Sequence, residues 1–414
     1  MRNIFVLLLL TTALFGGGYR IPETSLNAVA LGAANVAHIS GADAAYYNPA
    51  NMAFMKNEAL IELGVIYIGL NNVNYQGSYT SASGTTTSGH NINATREDFF
   101  IPTLHYVSED ISGVRLGVSL VTPAGLSKRW QDAPAVYSSE EFTLKTIELN
   151  PSIAYRISDT LGAAFGLRAI YTDGAVKSTS PISSRDMSGD SVDFGYNLAL
   201  SYKVTSELEF ALTYRSRVDL TSKGDATLFY RDMTNAFGGG FGATYSSFSS
   251  ASVSVPVPAI LNIAAAYTFP SQTTLEFVYE RNYWSAYEEL DFNYGSGVDP
   301  VTNAVFGKPI AKNFKDTDTF RFGVTQELDA LRLMGGVVID KTPVPNETIG
   351  FELPDSDSLS LSMGARYQIT QKINIGLAAL YSMREDRRVS NASLQGEYSD
   401  ANVLIVSSAV EYKF

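Results

Sequence analysis

The chain has 414 residues, with 30 Lys and Arg against 42 Asp and Glu and a formal charge of −12 at pH 7. That balance excludes nucleic acid as a partner, and the absence of cysteine excludes disulfides, thiolate chemistry and a cysteine-borne lipid anchor. Only 17% of residues are charged, while 45% are hydrophobic and 12% aromatic, chiefly 24 Tyr and 22 Phe. This is the composition of strands with one face in lipid and aromatic girdles at its borders.

Residues 1–17 read as a secretory signal peptide. Arg2 supplies the positive start, Ile4–Phe15 the apolar core, and Gly16, Gly17 and Gly18 the small residues around a cleavage site. The core is shorter than the roughly 20 residues a spanning helix needs, and no other apolar run approaches that length. Residues 18–56 are rich in Gly, Ala and Asn and lack a strand period. They carry less charge than a disordered tail. A barrel of more than about eight strands cannot fill its own interior, so this segment is read as a hatch packed inside the barrel that follows.

Residues 57–414 are dominated by a period of two. In Ser191–Thr205, Val192, Phe194, Tyr196, Leu198, Leu200, Tyr202 and Val204 fill the even positions, and small or polar residues the odd ones. After the turn at Thr205-Ser206, Leu208, Phe210, Leu212, Tyr214, Val218 and Leu220 share one face; Glu209, Thr213, Arg215, Arg217 and Asp219 share the other. Side chains alternate faces along a strand, so one face meets lipid and the other a lumen. The runs last about ten to fifteen residues, enough for the 9–11 of a tilted membrane strand. About fourteen such runs are joined alternately by short turns and by long loops such as 71–97, 173–190, 223–250, 295–316 and 342–357. The fold class is therefore all-β: a transmembrane antiparallel β-barrel of about 14 strands with an N-terminal hatch (plug) in its lumen, placed in a Gram-negative outer membrane. The last run ends on Phe414, which resembles the signal read by the barrel-assembly machinery. Outer-membrane lipid and lipopolysaccharide would surround a monomer.

Glu148, Arg168, Arg215, Arg217, Arg321, Asp340 and Arg366 fall on the polar parity of their strands and predict a charge network in the lumen. The third strand is interrupted by Pro123, which has no N–H to donate, and by Gly125, which permits a bend. This marks either a kink in the wall or the strand's outer end. Phe229, Phe237, Phe241 and Tyr245 in one outer loop form either an apolar groove for a ligand or a self-packed loop. The only histidines are His38, His90 and His105, and they match no common zinc pattern. Neither an enzyme, nor a metal, nor a cofactor is expected.

Ser40-Gly-Ala-Asp-Ala-Ala-Tyr-Tyr-Asn48-Pro49-Ala50, Tyr214-Arg215-Ser216, Asp340-Lys-Thr-Pro343-Val-Pro345 and Leu353-Pro354-Asp355 resemble the FadL/TodX family of outer-membrane transporters for long-chain fatty acids and other hydrophobic compounds. The resemblance runs from about residue 18 to 414. It implies a hatch whose Asn48, Pro49 and Ala50 act with Asp340 as a gate. It implies a third-strand kink at Gly125 that opens the wall sideways. It also implies basic residues near two outer loops that meet a ligand carboxylate, where Lys177 and either Lys308 or Lys312 stand. Passive uptake of a hydrophobic small molecule follows, with a general or substrate-specific porin and a surface adhesin or receptor barrel as the alternatives.

Overall fold

Alternating apolar and small residues give fourteen strands: β1 Leu60–Leu70, β2 Glu97–Val107, β3 Val114–Val121 with Gly125–Arg129, β4 Glu141–Arg156, β5 Leu161–Thr179, β6 Ser183–Lys203, β7 Leu208–Arg215 with Val218–Asp232, β8 Gly242–Val257 with Ile260–Thr268, β9 Thr273–Asn282, β10 Thr317–Leu328, β11 Leu331–Asp340, β12 Ser358–Gln368, β13 Ile373–Arg384 and β14 Val403–Lys413. The computed structural model describes residues 17–232, 242–295 and 298–414, and the side chains of 232, 242 and 243 are outside the description. Residues 1–16 of the expected signal peptide, and Phe237 and Phe241, lie outside the described residues.

Each strand pairs antiparallel with its sequence neighbours. The cylinder closes where β1 pairs with β14, from Leu60↔Lys413 to Leu70↔Val403. Closure removes the sheet edges that lipid could not hydrogen-bond. The N–H of Phe414 donates to the Ala59 carbonyl at 3.1 Å, tying the last residue to the start of β1. The even positions of β6 face outward, from Val192 to Val204, and Phe194 is 74% exposed. Tyr155, Tyr202, Tyr267 and Tyr367 are exposed near the short turns, as in an interfacial girdle.

Two expectations need correction. First, much of the predicted loops 173–190 and 223–250 is strand: β5 and β6 reach 19 and 21 residues, and β7 runs to Asp232. Once started, backbone pairing continues beyond the bilayer where no turn residue stops it. Second, the face of β7 flips. β7 pairs with β6 up to Arg215↔Asn197 and resumes at Lys223↔Asp190. That is eight steps on β7 against seven on β6, so β7 carries one extra residue. Val218 and Leu220 are buried inside, while Arg217 points out and pairs with Asp219 at 2.7 Å. Arg217 is not part of the lumen network.

Residues 17–59 pack within the bore. The helix α1, Leu26–Leu31, is capped by the Ser25 side chain and ended by Gly32 at φ 57°, a left-handed turn that glycine adopts without penalty. It packs on the inner faces of β11, β12, β13 and β14. The helix α2, Ala44–Tyr47, and a 3₁₀ turn, Pro49–Phe54, pack on β2 to β6. Alanines fit the narrow space: Ala28, Ala30, Ala42, Ala44, Ala45 and Ala50 have no exposed surface.

Candidate functional site

The hatch is held by charges on the inner wall. Arg168 grips Glu148 through Nε and Nη2 at 3.0 and 2.9 Å, and Arg215 reaches the same carboxylate at 2.6 Å. Arg215 also donates to the Tyr46 carbonyl of the hatch at 2.9 Å and stacks on the Tyr46 ring. Arg321 bridges Glu280 and the Gly32 carbonyl, at 3.0 and 2.9 Å. Arg366 joins Glu62 to Asn27, which in turn donates to the buried Asp43. Of the expected network, Glu148, Arg168 and Arg215 therefore meet in one cluster, while Arg321 and Arg366 each hold another part of α1's surroundings.

The sequence reading missed Glu276. Its carboxylate accepts the N–H groups of Val36, Ala37 and His38 at 2.5, 2.7 and 3.3 Å. Glu62, Glu276 and Glu280 share the inward parity of their strands, which was the available signal. Asn48 donates to Val36 O at 2.7 Å and Ser201 Oγ at 2.8 Å and accepts from Ala50 N. It thus ties the Pro49-Ala50 turn to the wall at β6. Asp340 stands elsewhere. It accepts from Thr319 Oγ1 at 2.6 Å, and a Cβ at Gly17 would clash with its Oδ2. Nearby, burial raises the Glu23 carboxyl above its ordinary range, against the pull of Arg321.

The wall is broken between β2 and β3. Among the described residues, the two strands pair only from Leu104↔Leu120 to Val107↔Gly117. The ladder reappears at an Ala94↔Trp130 bridge, with Thr95 N donating to Arg129 O. Residues 97–103 of β2 lack backbone partners on that side. The cause lies in β3. Opposite β4, the register moves from Val121↔Glu148 to Gly125↔Lys145, so β3 carries one extra residue around Pro123. The displaced backbone pairs inward instead: Ile21 N donates to Pro123 O at 3.0 Å, and Gly125 N to Tyr19 O at 2.9 Å. The Thr146 hydroxyl serves Ala124. The start of the hatch thus replaces β2 as the partner of β3, satisfying groups that would otherwise be costly to leave unpaired.

Behind the break lies a cavity of about 470 Å³, lined by apolar side chains including Ile21, Phe99, Ile101, Leu126, Leu144 and Leu380, and by Gly125. Arg20, Lys128, Asp340, Asp355 and Arg384 also border it. Its size lies in the range of small-molecule sites. A second, polar cavity of about 330 Å³ sits at the short-turn end, bordered by His38, Lys56, Glu209, Arg332 and Lys413.

Toward the outer loops the bore is filled by an apolar cluster. Tyr19, Trp284, Tyr287 and Phe314 are buried within it. Their rings meet edge to face, with Tyr19–Trp284 and Tyr287–Phe314 centroids each 4.8 Å apart. Burial drives the Tyr287 phenol well above its usual pKa. Phe229 and Tyr245 do not line this cluster. They pair with each other, with centroids 4.7 Å apart, and Tyr245 is 75% exposed. The β7 extra residue explains this, since Ala226 and Leu228 take the inward positions.

The three expected carboxylate-binding lysines are scattered. Lys177 is 40% exposed, on the outward parity of β5, with Asp186 at 3.6 Å and Glu141 at 3.9 Å. Lys308 is exposed after the short outer helix Pro300–Phe306. Lys312 is buried beside the aromatic cluster, but its ammonium is already bound to Glu352.

A family model described as Outer membrane protein transport protein (OMPP1/FadL/TodX) matches residues 7–414. The Long-chain fatty acid transport protein of Escherichia coli strain K12 is 24% identical over 457 residues, covering 98% of this chain and 96% of that protein. Outer membrane protein P1 of Haemophilus influenzae is 22% identical, covering 92% and 90%. Two solved structures share the fold: a Pseudomonas aeruginosa FadL homologue, TM-score 0.83 at 19% identity over 96% of this chain and 99% of that one, and the Pseudomonas putida toluene transporter TodX, TM-score 0.71 at 15% identity over 97% and 99%. A closed fourteen-strand barrel, a plugged bore and a family match across nearly the whole sequence agree, and the chain belongs to the OMPP1/FadL/TodX family of outer-membrane transport proteins.

Proposed function

We propose that the barrel takes up hydrophobic small molecules, long-chain fatty acids or aromatic hydrocarbons, by passive diffusion. Solute is captured at the outer aromatic cluster, enters the cavity, and leaves sideways into the bilayer between β2 and β3. The observation that carries this reading is the unpaired stretch of β2 opposite the β3 kink, with an apolar cavity directly behind it. Lipopolysaccharide resists apolar solutes, and a water-filled pore gives them no affinity; a greasy pocket with a side door meets both problems. The relatives named for long-chain fatty acids and toluene support the ligand class. In this reading Asn48, Pro49 and Ala50 hold the straight route shut, and Asp340 positions the hatch's first residues.

Cells carrying the chain are expected to show saturable uptake of labelled oleate or toluene, and planar bilayers containing it to lack a porin-sized conductance. A large steady conductance with non-saturable passage of hydrophilic solutes would favour the porin instead.

A further inference from the structure

Among the cations bordering the large cavity, Lys128 stands apart. Arg20 is bound to Glu280 at 2.8 Å, Arg321 to Glu280 at 3.0 Å, Arg384 to Asp355, and Lys145 faces Asp173 at 3.7 Å. Lys128 is 8% exposed and borders the cavity, and its ammonium forms neither a hydrogen bond nor an ion pair among the described residues. It follows the kink on β3, on the same parity as Leu126, which points into the apolar cluster. The nearby Glu97 accepts from Ser127 and Arg129 through Oε2; its buried Oε1 makes no hydrogen bond, to Lys128 or to any other described residue. A buried ammonium without a partner is costly, and it persists most readily where something else supplies the counter-charge.

We infer that Lys128 is the head-group site of the cavity behind the lateral break: it receives the anionic carboxylate of a solute whose apolar tail lies along Phe99, Ile101, Leu126 and Leu144. This rests on the uptake reading above and adds a specificity-determining residue to it. Lys312, the cation in the outer cluster, is neutralised by Glu352. The outer cluster is therefore indifferent to head-group charge, and the preference for a carboxylate arises deeper, at the point of exit.

The test compares binding of labelled dodecanoate and dodecanol to the purified full chain in amphipol, for the native sequence, Lys128→Met and Lys128→Arg. Heat-modifiable gel migration serves as the folding check. The native chain is expected to prefer dodecanoate by about tenfold or more, the worth of a charge-assisted hydrogen bond. Lys128→Met should lose that preference while binding dodecanol as before, and Lys128→Arg should keep it. A preference unchanged in Lys128→Met, or absent from the native chain while both ligands bind, overturns the assignment and leaves the uptake reading intact. Failure of the native chain to bind either ligand removes both. If Lys128→Met does not fold, Lys128→Gln replaces it under the same criteria.

Discussion

Replacing Gly125 by valine is expected to slow uptake of oleate or toluene while the barrel still assembles. A Cβ at this position would lie 3.2 Å from Ile21 Cδ1 and 3.7 Å from the Leu144 carbonyl. Alanine can be absorbed, because the tip of Ile21 is the flexible end of a side chain. The two γ-methyls of valine cannot. They enter the space between the hatch segment and the break in the wall, where the cavity meets the lipid side. Overpacking of this kind costs about 1–3 kcal/mol. Imposed on the passage as a barrier, that is about 5- to 150-fold in rate. Combining Gly125→Val with Ile21→Ala should return part of the lost rate, since the two side chains contend for one volume. Normal transport by a folded Gly125→Val variant would remove the sideways exit.

Removing Glu148 is expected to produce the largest loss of stability. Its carboxylate is the shared partner of Arg168 and Arg215, Arg168 is 1% exposed, and Glu148 itself has no exposed surface. Glu148→Ala strands two buried guanidinium groups, and breaking a buried pair from one side costs about 3–5 kcal/mol. The thermal midpoint of heat-modifiable migration should fall well below that of the native chain, because Arg215 also anchors the hatch through Tyr46. Arg217→Ala, two residues from Arg215 in sequence but on the lipid side of the extra residue, should leave the midpoint unchanged. A matching drop for Arg217→Ala would contradict the face reversal in β7.

The barrel was legible because the lipid face demands an apolar residue at every second position, and the strands keep that pattern where they cross the bilayer. Val192 to Val204 is the plainest case. The reversal at Ser216-Arg217 was not legible on β7 itself. Val218 and Leu220 are as apolar as the lipid-facing residues before them, so period alone carried the old face forward. The clue lay on the partner strand, where Pro258, two residues after Pro256, falls at the matching change of face between Val257 and Ile260 in β8. The break in β3 was visible in Pro123 and Gly125, since each alters what the backbone can donate or adopt. Its inward partner was not, because pairing with Tyr19 and Ile21 depends on how the hatch threads the bore. For the same reason the sequence located Arg168 and Arg215 in the lumen but not Glu276, whose three partners are backbone N–H groups, nor Lys128, whose significance is the lack of a partner.

Photo-crosslinking during transport tests the central claim most directly. A diazirine-bearing long-chain fatty acid, illuminated while cells expressing the chain take it up, should label residues 99–102 of β2 and 120–126 of β3, on either side of the break. Labelling confined instead to His38–Glu58 and the short-turn cavity would mean that solute passes straight through the hatch, and would contradict the lateral route.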